Sequence, residues 1–262
     1  MDCIQLQQTV EKIKTWALEV GELQMKLFRN AALDVSIKGG DVADLVTEAD
    51  YQSEQFWIEK LTEAFPTHSI LAEESGMRMQ PDSEYLWSLD PIDGTVNYAY
   101  GLPVFCTSIA LKKGNELLLG VINAPYLREL YWATAHSPAY CNGQELHVSL
   151  PMPLPEALLS TGLPYRRDEQ FRKSLHHFVE LSSQARGIRR MGSAAYDLSC
   201  VAAGRLDGYW EFDLNPWDID AGILLVQRAG GQVVTTTQEG RISLIAAHPS
   251  LVAQLQQTLQ FE

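Results

Sequence analysis

The chain has few of the features that mark several protein classes. Its 262 residues include four cysteines, none in a CxxC pair, which argues against a zinc motif or a disulfide framework. Apolar runs all fall short of the roughly 20 residues of a membrane span. The sequence contains no Walker motif, GxGxxG motif or internal repeat, and its six histidines lack metal-ligand spacing. We therefore expect a soluble cytoplasmic protein with free thiols and no membrane partner.

Basic residues are also scarce. Lysine and arginine number 20 against 33 aspartates and glutamates, which gives a net charge of -13. Nucleic acids and anionic membranes are bound by basic surfaces, so we expect neither partner. A small anionic substrate remains compatible with this charge, because a bound metal ion can invert the local field.

Hydrophobic periodicity divides the first half of the chain into helices and strands. The spacing predicts a long helix from Ile4 to Arg29 and a second from Glu48 to Ala64, capped by Thr47. A strand is predicted from Ser69 to Ala72, an exposed loop from Met77 to Tyr85, and a strand from Leu86 to Leu89. An antiparallel meander is predicted next, with strands Val104 to Leu111, Leu117 to Ala124 and Glu129 to Ala135. An edge hairpin at Asn142-Gly143 follows it.

Prolines 151, 153 and 155 mark a change of pattern, so we expect an α+β half at residues 1–150 and an α/β half at residues 151–262. Strands and helices alternate in the second half. The predicted strands are Ala157 to Thr161, Gly187 to Met191, Leu206 to Glu211 and Gln232 to Thr235. The predicted helices are Asp168 to Arg186, Ser193 to Ala203, Pro216 to Ala229 and a terminal helix from Ser250.

The segment WSLDPIDGTVNY, residues 87–98, carries the chemistry of the chain. It places Asp90 and Asp93 on either side of a proline at the end of an apolar run. Carboxylates this close repel and raise each other's pKa unless a cation lies between them, and all-oxygen clusters suit Mg²⁺, Ca²⁺ or Mn²⁺. Asp-Pro and Asp-Gly pairs are also ordinary turn signals, so this segment alone leaves both interpretations open.

Further acids stand at the ends of other apolar segments, namely Asp50, Glu73 and Asp218. Carboxylates from separate elements are what a two-metal site for phosphoryl transfer requires. Gly94 and Thr95 would then offer backbone amides to a phosphate at a helix start. Together these positions favour a metal-dependent reaction of a phosphate ester.

Five motifs lie between Asp44 and Ala229, namely DLVTEAD, LAEES, LDPIDGTVNY, MGSAAYDLSCVAAGRLDGYWE and NPWDIDAG. They resemble those of the inositol monophosphatase family of Mg²⁺-dependent, lithium-sensitive sugar phosphatases, and residues 191–211 are similar to bacterial members. The resemblance implies a layered αβαβα sandwich of the inositol monophosphatase and fructose-1,6-bisphosphatase type, a homodimer, and hydrolysis of a polyol phosphate monoester, most simply myo-inositol monophosphate. It also implies two or three Mg²⁺ ions, replaceable by Mn²⁺ and inhibited by Li⁺ and Ca²⁺.

The resemblance also implies roles for individual residues. Glu73, Asp90 and the Ile92 carbonyl match ligands of a first metal, and Asp90, Asp93 and Asp218 match ligands of a second; a third, weaker metal would use Glu73. Asp50 and Thr95 match the pair that activates water, with Glu73 as a further catalytic acid. The residues matching the substrate site are Asp93, Gly94, Thr95, Gly192, Ser193, Ala194, Glu211 and Asp218. Lys38 is similar to a loop lysine near the metals, although its spacing to Asp44 is one residue longer.

Other functions remain open at this point. The same chemistry could act on fructose 1,6-bisphosphate, NADP⁺, 3'-phosphoadenosine 5'-phosphate or histidinol phosphate; Val96-Asn97-Tyr98 resembles the inositol branch. A regulatory interaction protein is an alternative from another class, because one bacterial relative works with the transcription machinery. A structural Ca²⁺ site is a further alternative, which the Thr95 and Asp50 pair disfavours.

Overall fold

The computed structural model describes residues 3–30, 34–37, 45–164 and 167–261. Within these ranges the helices are α1 (Cys3–Leu27), α2 (Glu48–Ala64), α3 (Thr95–Ala99), α4 (Glu169–Ser182), α5 (Ala194–Ala202), α6 (Pro216–Arg228) and α7 (Pro249–Leu259). A 3₁₀ turn spans Leu154–Glu156. None of the described helices is both long and apolar enough to cross a bilayer.

The strands of the first half are β1 (Val35–Ile37), β2 (Leu45–Thr47), β3 (Ser69–Ala72), β4 (Gly76–Arg78), β5 (Tyr85–Asp93), β6 (Cys106–Lys113), β7 (Glu116–Ala124), β8 (Glu129–Thr134), β9 (Tyr140–Cys141) and β10 (Gln144–Glu145). Strands β1 and β2 pair separately. Among the described residues the others form an eight-stranded sheet in the order β10-β9-β8-β7-β6-β5-β3-β4. Strand β3 runs parallel to β5, and the remaining neighbours are antiparallel.

The strands of the second half are β11 (Leu158–Thr161), β12 (Gly187–Arg189), β13 (Gly208–Leu214), β14 (Gln232–Gln238) and β15 (Arg241–Ala247). In the described part of the chain they form a five-stranded sheet in the order β12-β11-β13-β15-β14. Strand β11 runs parallel to both of its neighbours, whereas β15 runs antiparallel to its own.

The side chains of each strand alternate between the two faces of its sheet, and the helices that pack on these faces give the fold five layers. On β6, Ile109 packs with α1 and α2, while the adjacent Ala110 faces a cluster built on α5 and α6. On β15, Leu244 joins that same cluster, while Ile245 packs toward α7. Successive side chains of a strand point to opposite faces, so each sheet carries helices on both faces. The predicted αβαβα sandwich is confirmed; the division at residue 150 stays a prediction, and the α5–α6 cluster includes residues from both halves.

Several predicted boundaries were wrong. Met77 and Arg78, expected in an exposed loop, belong to the edge strand β4, and Tyr85 already begins β5. Strand β5 continues past Leu89 through Asp93, with an irregular register against β6 between Asp90 and Asp93. Pro91 has no N–H to donate, so a break in the ladder at this point is expected. Strand β15 was missing from the prediction altogether.

Candidate functional site

A cavity of about 350 Å³ lies between the two sheets. It is lined by nearly all the side chains that the sequence singles out. From the predicted sites it includes Glu73, Asp90, Ile92, Asp93, Gly94, Thr95, Gly192, Ser193, Ala194, Glu211 and Asp218. Asp50 lies directly behind it, in contact with Thr95. Lys38 lies outside the described residues.

Asp50 is fixed by the start of its own helix. The Thr47 amide and hydroxyl donate to Asp50 Oδ2 at 2.8 and 2.6 Å, which completes a capping box on α2. The other oxygen, Oδ1, accepts the Thr95 hydroxyl at 3.1 Å. Burial raises the pKa of Asp50 to about 6, against the lowering effect of these hydrogen bonds. The predicted pair of Asp50 and Thr95 therefore meets in the fold, and the carboxyl titrates close to neutrality.

Thr95 begins the short helix α3 and has two acceptors within reach. Its Oγ1 lies 3.1 Å from Asp50 Oδ1 and 2.9 Å from the carbonyl oxygen of Ile92. Gly94 precedes it with φ +96°, and a Cβ there would come within 2.9 Å of the Val104 carbonyl oxygen. The turn that presents Thr95 to the cavity therefore requires glycine.

Asp93 is held from the second half of the chain. Its Oδ2 accepts the Ser193 hydroxyl at 2.7 Å and the Ala195 amide at 2.6 Å. The Cys106 thiol lies 3.8 Å from the same oxygen. Burial raises the pKa of Asp93 to about 6, although the bonds from Ser193 and Ala195 oppose the rise. This carboxylate joins β5 to the N-terminus of α5.

Asp90 and Asp218 complete the acidic end with Glu73. Asp90 is 2% exposed, and its Oδ1 meets no hydrogen-bond partner among the described residues. Asp218 lies in the first turn of α6, where its Oδ2 accepts the amide of the N-cap residue Asn215 at 2.7 Å. Burial raises the pKa of Asp90 and of Asp218 well above the usual range, and the negative charges of Glu73 and neighbouring aspartates add to this rise.

The other end of the cavity is built around Glu211. Its carboxylate accepts the Tyr209 hydroxyl and packs against Gly162, where a Cβ would collide with it. Burial raises the pKa of Glu211 to about 7, while the bonds from Tyr209 and the Gly162 amide oppose the rise. Gly192, Ser193 and Ala194 line the same cavity.

Sequence reasoning missed several lining residues, among them Asp197, Arg190 and Arg241. Asp197 lies within the motif MGSAAYDLSC, where a lone acid in a run of small and apolar residues is a recognisable signal of a buried charge. The two arginines carry no comparable signal. Asn97 was also overlooked as a connector, since its Nδ2 donates to the carbonyls of Val104 and Met191 at 2.7 and 2.8 Å.

The acids do not form a ready-made metal centre. Among the described residues, no group of three or more His, Cys, Asp or Glu side chains is arranged to hold an ion. Two properties nevertheless fit a hard divalent cation: the donor set is oxygen alone, and a fully buried carboxylate oxygen of Asp90 has no partner in the described chain. A cation would also offset the mutual repulsion that adds to burial in raising the pKa of Asp90 and Asp218.

The family model for the inositol monophosphatase family matches residues 5–260. The chain belongs to this family. The match extends beyond both ends of the segment that carried the sequence resemblance, so the family prediction is confirmed. Members of the inositol monophosphatase family are metal-dependent phosphoric monoester hydrolases.

Individual relatives support the same assignment. An inositol-1-monophosphatase of Synechocystis is 44% identical over 194 residues, covering 74% of this chain and 68% of that protein. The Nus factor SuhB of Pseudomonas aeruginosa is 43% identical over 223 residues, covering 83% and 81%. The solved structure of the extragenic suppressor protein SuhB from Bartonella henselae superposes with a TM-score of 0.89 at 34% identity, over 97% of this chain and 99% of that one. These relatives support a phosphatase activity for the chain.

Proposed function

We propose that this protein hydrolyses the phosphate monoester of a polyol, with myo-inositol monophosphate as the favoured substrate and Mg²⁺ as the cofactor. One observation carries the proposal: a single cavity of about 350 Å³ is lined by an acidic cluster, by Thr95 and by a further acid, Glu211. The inositol-1-monophosphatase name of the Synechocystis relative supports the choice of substrate.

The residues we assign to the metals are Glu73, Asp90, the carbonyl of Ile92, Asp93 and Asp218. Their oxygen-only chemistry and the buried unpartnered oxygen of Asp90 support the assignment. Bound divalent cations would neutralise the phosphate dianion and make an attacking water more acidic. The number of ions, replacement by Mn²⁺ and inhibition by Li⁺ and Ca²⁺ stay predictions.

We assign the proton transfer to Thr95 and Asp50, with Glu73 as a further acid beside the attacking water. The Thr95 hydroxyl can accept a proton from that water as it passes its own proton to Asp50 Oδ1, 3.1 Å away. Burial raises the pKa of Asp50 to about 6, which suits a base that works near neutral pH. The α2 capping box holds this carboxylate in place throughout.

We assign substrate binding to two groups of residues. The backbone amides of Gly94 and Thr95 contact the phosphate, and Asp218 lies beside the substrate as a ligand of the second metal. Glu211 and Asp93 accept hydrogen bonds from sugar hydroxyls, and Gly192, Ser193 and Ala194 shape the wall between them. A polar site of this kind discriminates strongly against substrates that lack the matching hydroxyl group.

A phosphate-release panel tests the proposal. The substrates are inositol 1-phosphate, fructose 1,6-bisphosphate, NADP⁺, 3'-phosphoadenosine 5'-phosphate and histidinol phosphate, with Mg²⁺ and with or without Li⁺. We expect Mg²⁺-dependent turnover of inositol 1-phosphate that the Asp93→Asn variant loses. Asp82→Asn, the same change at an exposed loop residue, is the matched control and should behave as wild type. Preference for another ester would support the metal-dependent hydrolysis and show that the proposed substrate is wrong. No turnover of any ester would overturn the proposal.

A regulatory role is the second candidate, because the relative from Pseudomonas aeruginosa is named a Nus factor. The Asp93→Asn variant separates the two candidates in a strain that lacks this gene. Restoration of the wild-type phenotype by this variant would favour the interaction role, and failure would tie the phenotype to catalysis. The absence of nucleic-acid partners, the homodimer and the cytoplasmic location stay predictions, although the free cysteines fit a reducing compartment.

A further inference from the structure

Asp197 is a buried acid of the cavity that the reaction described above does not use. It lies in the first turn of α5, two residues after Ala195, whose amide binds Asp93. Its side chain is 1% exposed, yet it lines the cavity. Its Oδ1 meets no hydrogen-bond partner among the described residues. A buried polar atom without a partner costs free energy in the absence of a ligand, so it points to a bound group.

The surroundings of Asp197 belong to the part of the cavity that is built around Glu211, called here the hydroxyl end. The Ser160 hydroxyl of β11 lies beside the carboxyl group, although neither Ser160 Oγ nor Asp197 Oδ1 makes a hydrogen bond of normal geometry within the described chain. The charges that act on Asp197 include the negative Glu211 and Asp93 and the positive Arg190. Asp197 therefore lines the cavity close enough to Glu211 for the two carboxyl groups to interact.

The two acids of this end offer different hydrogen-bonding groups. Burial raises the pKa of Asp197 well above its usual range, against the lowering effect of Ser160. A carboxyl group accepts hydrogen bonds in either protonation state and can also donate one when it is protonated. Glu211 already receives the Tyr209 hydroxyl and the Gly162 amide. A neighbouring pair of acids of this kind suits an alcohol with adjacent hydroxyl groups, and it disfavours a second phosphate, which would face Glu211.

We infer that Asp197 is a specificity-determining residue that hydrogen-bonds a hydroxyl group of the leaving alcohol, beside Glu211. This inference rests on the proposed function and names the part of the polyol site that rejects substrates without hydroxyl groups. Substitution of Asp197 should weaken the binding of hydroxyl-bearing esters and leave other esters unaffected.

The test compares KM for inositol 1-phosphate with KM for p-nitrophenyl phosphate, whose leaving group has no sugar hydroxyls. Asp197→Leu, nearly isosteric and without polar atoms, should raise KM for inositol 1-phosphate roughly tenfold and leave KM for p-nitrophenyl phosphate within about twofold. Asp197→Asn, which still donates and accepts, should stay close to wild type with both esters. Thermal unfolding of both variants accompanies the kinetics.

Several outcomes would overturn the inference. These are an equal rise of KM for both esters, no change for either ester, or an Asn variant that behaves like the Leu variant. If Asp197→Leu does not fold, Asp197→Ala provides the same comparison. If the wild-type protein hydrolyses p-nitrophenyl phosphate but not inositol 1-phosphate, the proposed substrate is wrong, and the KM ratio is measured on the panel ester with hydroxyl groups that it hydrolyses best.

Discussion

The two ends of the cavity hold their acidic side chains in different ways. At the acidic end, Asp50 and Asp218 are each fixed by a capping box within three residues of chain. At the hydroxyl end, Glu211 accepts the Tyr209 hydroxyl two residues away and also packs against Gly162, 49 positions away on another segment. Local capping orients a carboxylate as soon as its helix forms, whereas the contact between Glu211 and Gly162 forms only when β13 pairs with β11. The metal-binding and proton-transfer roles proposed for the acidic end predict that substitutions there change kcat, whereas the hydroxyl-binding role proposed for Glu211 predicts that substitutions at the hydroxyl end change KM.

The largest effect is expected at Thr95. Thr95→Ala removes the hydroxyl that lies 3.1 Å from Asp50 Oδ1, so kcat with inositol 1-phosphate should fall by at least about 100-fold. Thr95→Ser retains the hydroxyl and should recover most of the activity. Steady-state kinetics at saturating Mg²⁺ measure both. Equal activity of the Ala and Ser variants would show that the hydroxyl takes no part in the reaction.

The next effect is expected at Gly162. A Cβ at this position would collide with the Glu211 carboxylate, so Gly162→Ala should displace that side chain and raise KM for inositol 1-phosphate roughly tenfold, with kcat nearly unchanged. Gly143→Ala is a poor control because of its positive φ, and Gly187→Ala, which has only loose neighbours, is the better one. A fall in kcat without a rise in KM would contradict the separation of the two ends.

The pH dependence of stability should be smaller. Burial raises the pKa of Asp50 and Asp93 to about 6 and that of Glu211 to about 7. The unfolded chain loses these protons first as pH rises, so the free energy of unfolding should decrease between about pH 4 and pH 7. We expect the Tm of the metal-free protein to be lower at pH 7.5 than at pH 5. Mg²⁺ should reduce the difference.

Histidines complicate that measurement, because burial lowers the pKa of His68 and His177 and so makes stability rise with pH. The Asp93→Asn variant lacks one of the acids and keeps both histidines. Its Tm should fall less than that of the wild type over the same pH range. An identical pH profile for the two proteins would show that Asp93 does not titrate as described.

The smallest effect is expected at Ser193, which connects the two ends. Its hydroxyl donates to Asp93 Oδ2 at 2.7 Å, and the Ala195 amide continues to hold that oxygen in a Ser193→Ala variant. Loss of one of two hydrogen bonds should lower kcat/KM about threefold, which corresponds to roughly 0.6 kcal/mol. A loss of 100-fold would mean that Ser193 has a direct role in the reaction.

The sequence predicted local features well and distant contacts poorly. The bounds of α2, its Thr47 cap and strand β3 were correct because each is set by neighbouring residues. Strand β15 was overlooked, although the turn at Glu239 and Gly240, both with positive φ, lies between two runs of strand-forming residues. The proximity of Asp197 and Glu211 follows from the packing of α5 against the second sheet, which no local pattern encodes.

The bond between Asp93 and the start of α5 has a consequence for refolding. Asp93 ends a strand of the first sheet, but its Oδ2 is held by Ser193 and Ala195, one hundred residues later in the chain. In a folding intermediate with only the first sheet formed, the two hydrogen bonds that orient the Asp93 carboxylate would still be missing. During refolding, the return of phosphatase activity should therefore lag behind the change in Trp87 fluorescence, because Trp87 is buried within the first sheet. The length of the lag would measure how long α5 takes to pack against Asp93.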